Sequence, residues 1–547
     1  VSTDAAPVHL THASLPTSAA ARVAFVGAGP GDPGLLTVRA RDYLAVADVV
    51  VVDAATQEQD VRSWVGERTE IVRTVRGEEG PALTPAARSK LLVRTARGFD
   101  DATHLVVRLL ADDVSGGSLV EEARACHDAG IAFEIVPGVS AAWAVPAYAG
   151  VLPDGQRGQV HVVDAADTGV DWSHSVAEEV TVVVRGAQGR LQRALQQLLQ
   201  AGRPADSPTA LTEHGTTTTQ QTRVTTLREA LEEAADLGED AVAVVGHPVE
   251  LQAELSWWES KPLFGWSILV PRTKEQSGPM ADRIAGYGAS ASVVPTISVE
   301  PPRTPQQMDR AVKGLVTGRY EWIGFTSVNA VRAVREKFEA LGLDARAFAG
   351  LKLAAVGGVT AEALREWGLE PDLVPDGEQS AQGLLESWPP FDDVLDPINR
   401  VFLPRADIAT DTLVAGLEAM GWEVDDVTAY RTVRAAPPAA SVREAIKGGA
   451  FDAVCFTSSS TVRNLVGIAG KPHPHTVVAC IGPATAKAAE EHGLRVDVVA
   501  PEPSSTSLVD ALAEHTRELM AQAHAQGEEF VRPSRRKPAP RRARSRR

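Results

Sequence analysis

A chain of 547 residues, 44% hydrophobic and 23% charged, can bury sizeable cores, and its length suits roughly three or four domains. Its three cysteines, Cys126, Cys455 and Cys480, stand in no Cys-x-x-Cys or Cys/His spacing, which argues against a disulfide framework, an iron–sulfur cluster and a structural zinc. The net charge of −17 hides a contrast: nine basic residues between Arg532 and Arg547 leave a body of net charge −26, which argues against nucleic-acid binding by the folded part.

In chain order, residues 1–20 lack the basic start and apolar stretch of an export signal and are expected to be a disordered lead. No apolar run nears the roughly 20 residues that cross a bilayer, so the expectation is a cytoplasmic protein without a membrane span. Short apolar runs then alternate with helical stretches such as "TAEALREWG" and "TLVAGLEAMG". The runs are "VAFVG", "DVVVVDA", "HLVVRLL", "AVAVVG", "SILVPR", "WIGFTS", "LKLAAVGG", "VFLPR", "AVCFTS" and "VVACIG". That pattern predicts α/β domains on largely parallel sheets. A helical end, Lys261, Pro262 and a new strand place a boundary near 264. Domains are therefore expected at 21–263 and 264–520, followed by a basic disordered tail at 521–547.

The first strand runs into "VGAGPGDPGLLT", a glycine turn and helix start of the kind that holds a small charged group. A dinucleotide fingerprint needs a third small residue where Asp32 stands; its carboxylate would repel a pyrophosphate, and Pro30 lacks a donor. A phosphate loop fails for want of Gly-Lys-Ser/Thr.

The second half repeats itself. "VPRTKEQ" at 270 answers "LPRADIA" at 403, "FTSVNAVR" at 325 answers "FTSSSTVR" at 456, and "VGGVTAEALREWG" at 356 answers "IGPATAKAAEEHG" at 481. Two similar lobes follow, joined by proline-rich connectors at 293 and 428. Thr326, Ser327, Thr457, Ser458 and Ser459 fall at strand ends before helices, and Thr360 and Thr485 at two further helix starts. Such ends in two lobes would bind anions with few basic side chains, and suggest a polycarboxylate ligand; ordinary N-capping explains any one of them. Arg272 and Arg405, repeated at strand ends, could pair with carboxylates or tie loops together. His473 and His475 in "KPHPH" read as a surface loop, and "SWW" at 256–258 as packing aromatics.

The N-terminal half resembles uroporphyrinogen III C-methyltransferases through "VGAGPGDPGLLTVRARDYLAVADVVVVD", "FEIVPGVSAAWAVPAYAG", "EHGTTTTQQ" and "AVAVVGHPVELQAELSWW". The resemblance implies a two-lobed fold, S-adenosylmethionine as cofactor, a catalytic carboxylate at Asp53, and cofactor-lining positions at Pro30, Ser140, Ala141 and Gly215. It also implies a homodimer through this domain. Several positions depart from the family. Its Gly-Gly-Asp-Pro loop reads Ala111-Asp112-Asp113-Val114, its Tyr-Met-Gly turn reads Val184-Arg185-Gly186, and its lysine proton donor falls on Arg76 or Gly77. A carboxylate and Cβ atoms where glycines let backbone approach a ligand point to an impaired methyltransferase-like domain.

The C-terminal half resembles uroporphyrinogen III synthase through "GWSILVPRTKEQSGPMADRIAGYGASASVVPTISVEPP", "YEWIGFTSVNAVR", "VTAYRT", "FDAVCFTSSSTVR" and "IGPATAKA". The resemblance implies a discontinuous lobe, 265–295 with 437–520, beside a lobe at 303–428. The implied substrate is hydroxymethylbilane, a heavily carboxylated linear tetrapyrrole closed with inversion of ring D on the way to haem, sirohaem and cobalamin. Tyr430 matches the family tyrosine proposed as proton donor, though a hinge-packing aromatic would serve equally. Ring closure needs no metal or organic cofactor. Three readings stand: a synthase with an impaired methyltransferase-like domain, a bifunctional chain making precorrin-2, and a non-enzymatic polyanion-binding protein. The partner of the basic tail is unknown.

Overall fold

The computed structural model describes residues 22–536 apart from 54–60, 67, 76–79, 99–103, 115–118, 154–157, 187–188, 239, 410 and the side chains of 274–277. The expected lead, the Arg76 and Gly77 candidates and the end of the basic tail lie outside the described residues. The chain divides into two compact units. The first ends at Trp266 and takes in Gly286–Ser290; the second holds Ser267–Ala285 and the chain from Ala291 onward.

The first unit has two five-stranded sheets. In one, β1 (Arg22–Gly27), β2 (Val49–Val52), β3 (Glu70–Arg73), β4 (Leu105–Leu110) and β5 (Phe133–Val136) run parallel in the order β3-β2-β4-β1-β5. The four valines of β2 are all buried, as expected of a central parallel strand covered on both faces. In the other, β6 (Val160–Asp164), β7 (Thr181–Arg185), β8 (Pro208–Glu213), β9 (Gln221–Thr226) and β10 (Val242–Val245) take the order β6-β7-β10-β8-β9. Only β6 and β7 pair in parallel there; the remaining three pairings are antiparallel. The reason is local. The loop 214–220 is too short for a crossover, so β8 and β9 can only form a hairpin, and the Thr-rich β9 carries no apolar run to announce it.

The second unit has two sheets that interleave along the chain. Its strands are β11 (Ser267–Val270), β12 (Ser290–Val293), β13 (Ile297–Glu300), β14 (Trp322–Phe325), β15 (Lys352–Ala355), β16 (Arg400–Ala406), β17 (Glu423–Arg434), β18 (Ala453–Phe456), β19 (Val477–Cys480) and β20 (Val498–Val499). One sheet has the order β12-β11-β18-β19-β20 and the other β13-β17-β16-β14-β15. β16, β14 and β15 pair in parallel, as do β11, β18, β19 and β20, so their carboxyl ends share an edge in each sheet. The 12-residue β17 does two jobs: it pairs parallel to β16 and antiparallel to the connector strand β13. A register shift between Arg405 and Ala406 sets Ala406 opposite Tyr430.

All three cysteines are buried thiols, and burial pushes Cys126 up to about 11 and Cys455 and Cys480 up to about 12. No helix among the described residues is long and apolar enough to cross a membrane.

The expectation of a disordered tail from 521 is corrected for its first part. The last helix continues to Ala525, and a 3-10 turn at Pro533–Arg535 returns to the domain with Pro533 buried. Asp452, itself buried, holds both the return and the entry to β11: its Oδ1 accepts from Ser534 N at 2.8 Å and its Oδ2 from Ser267 N at 2.9 Å. A carboxylate serving two backbone donors outweighs the basic composition that marked the segment as solvated. Asp452→Ala leaves both N–H groups without acceptors and is expected to cost about 2 kcal/mol in urea unfolding, with the stretch around Ser534 becoming more susceptible to proteolysis.

Candidate functional site

In the second unit the chemistry gathers where parallel strands end. β14 stops at Phe325, and Ser327, extended at φ −166°, caps the helix Val328–Ala340 by accepting from Ala330 N at 3.1 Å. β18 stops at Phe456, and Ser458 caps the helix Ser459–Ala469 in a reciprocal box with Thr461. Both serines are therefore N-caps, as the simpler reading expected. The hydroxyls of Thr326 and Thr457, half-buried one residue earlier, make no hydrogen bond to a described residue. Ser459 Oγ donates to Ala484 O at 3.0 Å and ties two helix starts together.

What sets the β14 end apart is Tyr430. Its hydroxyl lies 2.9 Å from Ser327 Oγ, so a phenol from the long strand β17 meets the N-terminus of a helix. The ring is buried with Phe325, Phe338 and Phe402. It is a packing aromatic whose polar end reaches the strand edge, and the two readings of Tyr430 are thus compatible.

Three expected ligand residues are corrected. Thr360 and Thr485 do not cap their helices: Gly357 and Gly482 hold the cap positions, and the threonines sit two residues into the helix, 5% and 4% exposed. Arg405 is also buried, and its guanidinium is spent on a fork with Asp426, Nε to Oδ1 being 2.8 Å, with Asp411 at 3.8 Å. Its repeat partner Arg272 differs. It is half-buried at the end of β11, burial lowers its pKa from the ordinary arginine value, and no acid among the described residues pairs with it. The duplicated arginines have parted: one ties a loop, the other pairs with no acid among the described residues.

In the first unit the opening glycines meet geometric demands. Gly29 has φ +77° and Gly31 φ +141°, and a Cβ on Gly27 would lie 2.6 Å from Gly138 N. Asp32 serves the loop itself: its N–H donates to Thr216 Oγ1 at 2.9 Å, and its carboxylate accepts from Gly34 N at 2.7 Å and Tyr148 Oη at 2.8 Å. Gly215 lies beside Thr216, packed against Val145. The turn just before Pro30 is tied to the 111–114 loop through Gly29 N and Asp112 O at 2.9 Å.

Asp112 is the centre of this site. Held at φ +64°, it places Oδ1 2.5 Å from Ala141 N and Oδ2 2.5 Å from Arg185 Nη1. Ser140 occupies the cap position of the helix Ala141–Ala149 but makes no side-chain cap bond, so Asp112 takes that role from a distance of 29 residues. Asp113 at 3.7 Å and Asp164 at 3.6 Å also surround Arg185. Burial, with Asp113 alongside, holds the Asp112 carboxyl above the ordinary carboxylate range despite Ala141 N–H and Arg185. Asp112 and Arg185, departures of opposite sign in sequence, are partners in space. Asp53 has a partner too: Arg108 Nη2 lies 2.5 Å away, and the fully buried Arg108 is braced by Glu122 at 2.7 Å. Sequence reasoning missed Arg108, whose one signal is a charge inside a strand buried along its whole length. The "SWW" aromatics pack as expected, with Trp258 and Tyr148 ring centres 5.0 Å apart and Lys261 over the Trp258 ring at 4.1 Å.

Comparison with known proteins matches each half to a family. Residues 22–231 match the tetrapyrrole (corrin/porphyrin) methylases and residues 278–510 match uroporphyrinogen-III synthase HemD. The "Porphyrin biosynthesis protein HemD" of Ruminiclostridium josui is 32% identical over 90% of this chain and 97% of its own length. The "Uroporphyrinogen-III C-methyltransferase" of Bacillus subtilis (strain 168) is 30% identical over 65% of this chain and 74% of its own. The crystal structure of the native uroporphyrin III C-methyltransferase from Thermus thermophilus is 28% identical, covering 42% of this chain and 99% of that one with a TM-score of 0.36. Fold and site thus define an α/β enzyme of tetrapyrrole biosynthesis. More narrowly, the chain belongs to the family in which a tetrapyrrole methylase domain is fused to a HemD-type uroporphyrinogen-III synthase domain.

The Asp112–Arg185 pair invites a double-mutant cycle. Arg185→Met strands a partly buried carboxylate and is expected to cost about 2 kcal/mol at pH 8. Because the carboxyl is already raised, that penalty is present at high pH and fades as pH falls and Asp112 takes up a proton. Asp112→Asn combined with Arg185→Met should restore most of the loss, measured by urea unfolding at pH 8 and pH 5.

Proposed function

We propose that the second unit cyclises hydroxymethylbilane to uroporphyrinogen III, with Tyr430 as the acid that releases the ring A hydroxyl. The observation that carries this reading is the 2.9 Å contact between Tyr430 Oη and Ser327 Oγ at the start of the helix Val328–Ala340. Ser327 Oγ accepts from Ala330 N–H, so its own proton can go to the phenol oxygen, and the phenol proton can go to the substrate. The C–O bond breaks, water leaves, and ring A becomes an azafulvenium. The phenolate left behind faces the positive end of a helix and a serine donor, which stabilise it. The substituted carbon of ring D attacks, the spiro intermediate fragments and recloses, and the proton lost on rearomatisation restores the phenol. Since the unaided reaction closes without inversion, the protein's main task is to fold the chain and shield the cation.

The caps Ser327 and Ser458, the hydroxyls of Thr326, Thr457 and Ser459, and Arg272 support carboxylate binding around this step, while Thr360, Thr485 and Arg405 are left out for the reasons above. Tyr430→Phe keeps the packing and removes the proton. It is expected to lower the rate of uroporphyrinogen III formation about a hundredfold or more, while the slow unaided closure continues to yield the isomer without inversion. An undiminished rate would remove Tyr430 from the chemistry.

For the first unit we propose an impaired methyltransferase. The residues do not fit S-adenosylmethionine as the family binds it, because Asp112 already occupies the Ala141 N–H and Arg185 brings a guanidinium to the same place. The retained Asp53 is engaged by Arg108. Titration calorimetry of the full chain with S-adenosylmethionine is expected to give no binding heat at tens of micromolar. Tight binding with methyl transfer to uroporphyrinogen III would instead support a bifunctional chain.

A further inference from the structure

Beside Tyr430 lies a cavity of about 280 Å³ that the reaction described so far does not use. Pro301, Pro302 and Met308 wall it from the connector and the helix Pro305–Val316, Asn329 and Arg332 from the helix Val328–Ala340, and Tyr430 from β17. Two of its charged neighbours are engaged: Glu300 accepts from Arg431 Nη2 at 2.6 Å, and Lys337 pairs with Asp309. Asn329, Arg332 and, one turn on, Glu336 have no hydrogen bond or ion pair with a described residue. The cavity therefore offers flat apolar walls, an amide, an uncommitted guanidinium and a phenol.

Its volume is just below the roughly 300–1,000 Å³ of small-molecule sites and suits one substituted five-membered ring, not a string of four. Prolines and a thioether suit the faces of such a ring, and an arginine fork suits a carboxylate on its edge. We propose that this cavity receives the hydroxymethyl-bearing terminal pyrrole of the linear substrate, with one acidic arm on Arg332 and the departing hydroxyl turned toward Tyr430. The assignment rests on the reading of Tyr430 as the acid. It adds an anchor that sets which ring meets that acid. Glu336 opposes the anchor, since it brings a second carboxylate to the same wall.

Steady-state kinetics of the full chain test this with hydroxymethylbilane and with an analogue whose hydroxymethyl-bearing ring carries alkyl groups in place of its acidic arms. Arg332→Ala is expected to raise KM for hydroxymethylbilane about tenfold, roughly 1.4 kcal/mol, at unchanged thermal stability. Arg332→Lys should recover part of the loss and Glu336→Gln should lower KM. With the analogue, wild type and Arg332→Ala should behave alike. An Arg332→Ala KM within about twofold of wild type, or a defect that persists with the analogue, overturns the pocket. A rate loss in Tyr430→Phe beside an unchanged KM in Arg332→Ala would discard the pocket and keep the acid. Full activity in Tyr430→Phe beside a raised KM in Arg332→Ala would keep the carboxylate anchor and discard the acid, and with it the proposed orientation of the hydroxyl.

Discussion

A helix that follows a parallel strand begins with backbone N–H groups that have no partner inside the helix, and everything in this chain turns on what satisfies them. In the second unit the nearest answer is local. Ser327 and Ser458 each accept from the N–H three residues on, which satisfies one donor of the first turn. The helices after β15 and β19 have glycine at the cap position, and after β15 the side chain of Gln379, distant in sequence, accepts from Gly358 N at 3.1 Å. A first-turn donor that the protein leaves unsatisfied favours an anion without surface lysines.

The first unit answers the same constraint from far away in sequence. Asp112 caps the helix Ala141–Ala149 and is itself held by Arg185, so a place where the relatives' motif has glycines now carries an internal anion and its counter-cation. Asp32 works likewise: a charge that looked hostile to a phosphate caps a turn and tethers Tyr148, while the residue's N–H donates to Thr216. In both places polar groups of the loops are engaged with other residues of the chain.

Duplication explains how the two lobes of the second unit came to differ. Repeated motifs place equivalent residues at equivalent strand ends, but each lobe surrounds them with different neighbours. Asp426 on β17 pairs with Arg405, and no described acid pairs with Arg272. Tyr430 reaches Ser327 because β17 is long and shifts register at Arg405, whereas among the described residues the Ser458 hydroxyl bonds Ser460 and Thr461.

From the sequence alone came the α/β class, the twin motifs of the second half and the families of both halves. These are local facts: apolar runs, glycine turns and serine caps state their role within a few residues, because hydrogen bonds and periodicity act at that range. The β8–β9 hairpin escaped because its threonines carry no apolar pattern, and the return of Pro533–Arg535 escaped because composition does not register one buried aspartate. Which polar groups remain free was decided by the tertiary structure. Whether Arg405 or Arg272 finds an acidic partner, whether Thr360 is buried, and whether Asp112 meets Arg185 depend on neighbours brought together across sheets, where burial makes a single partner decisive.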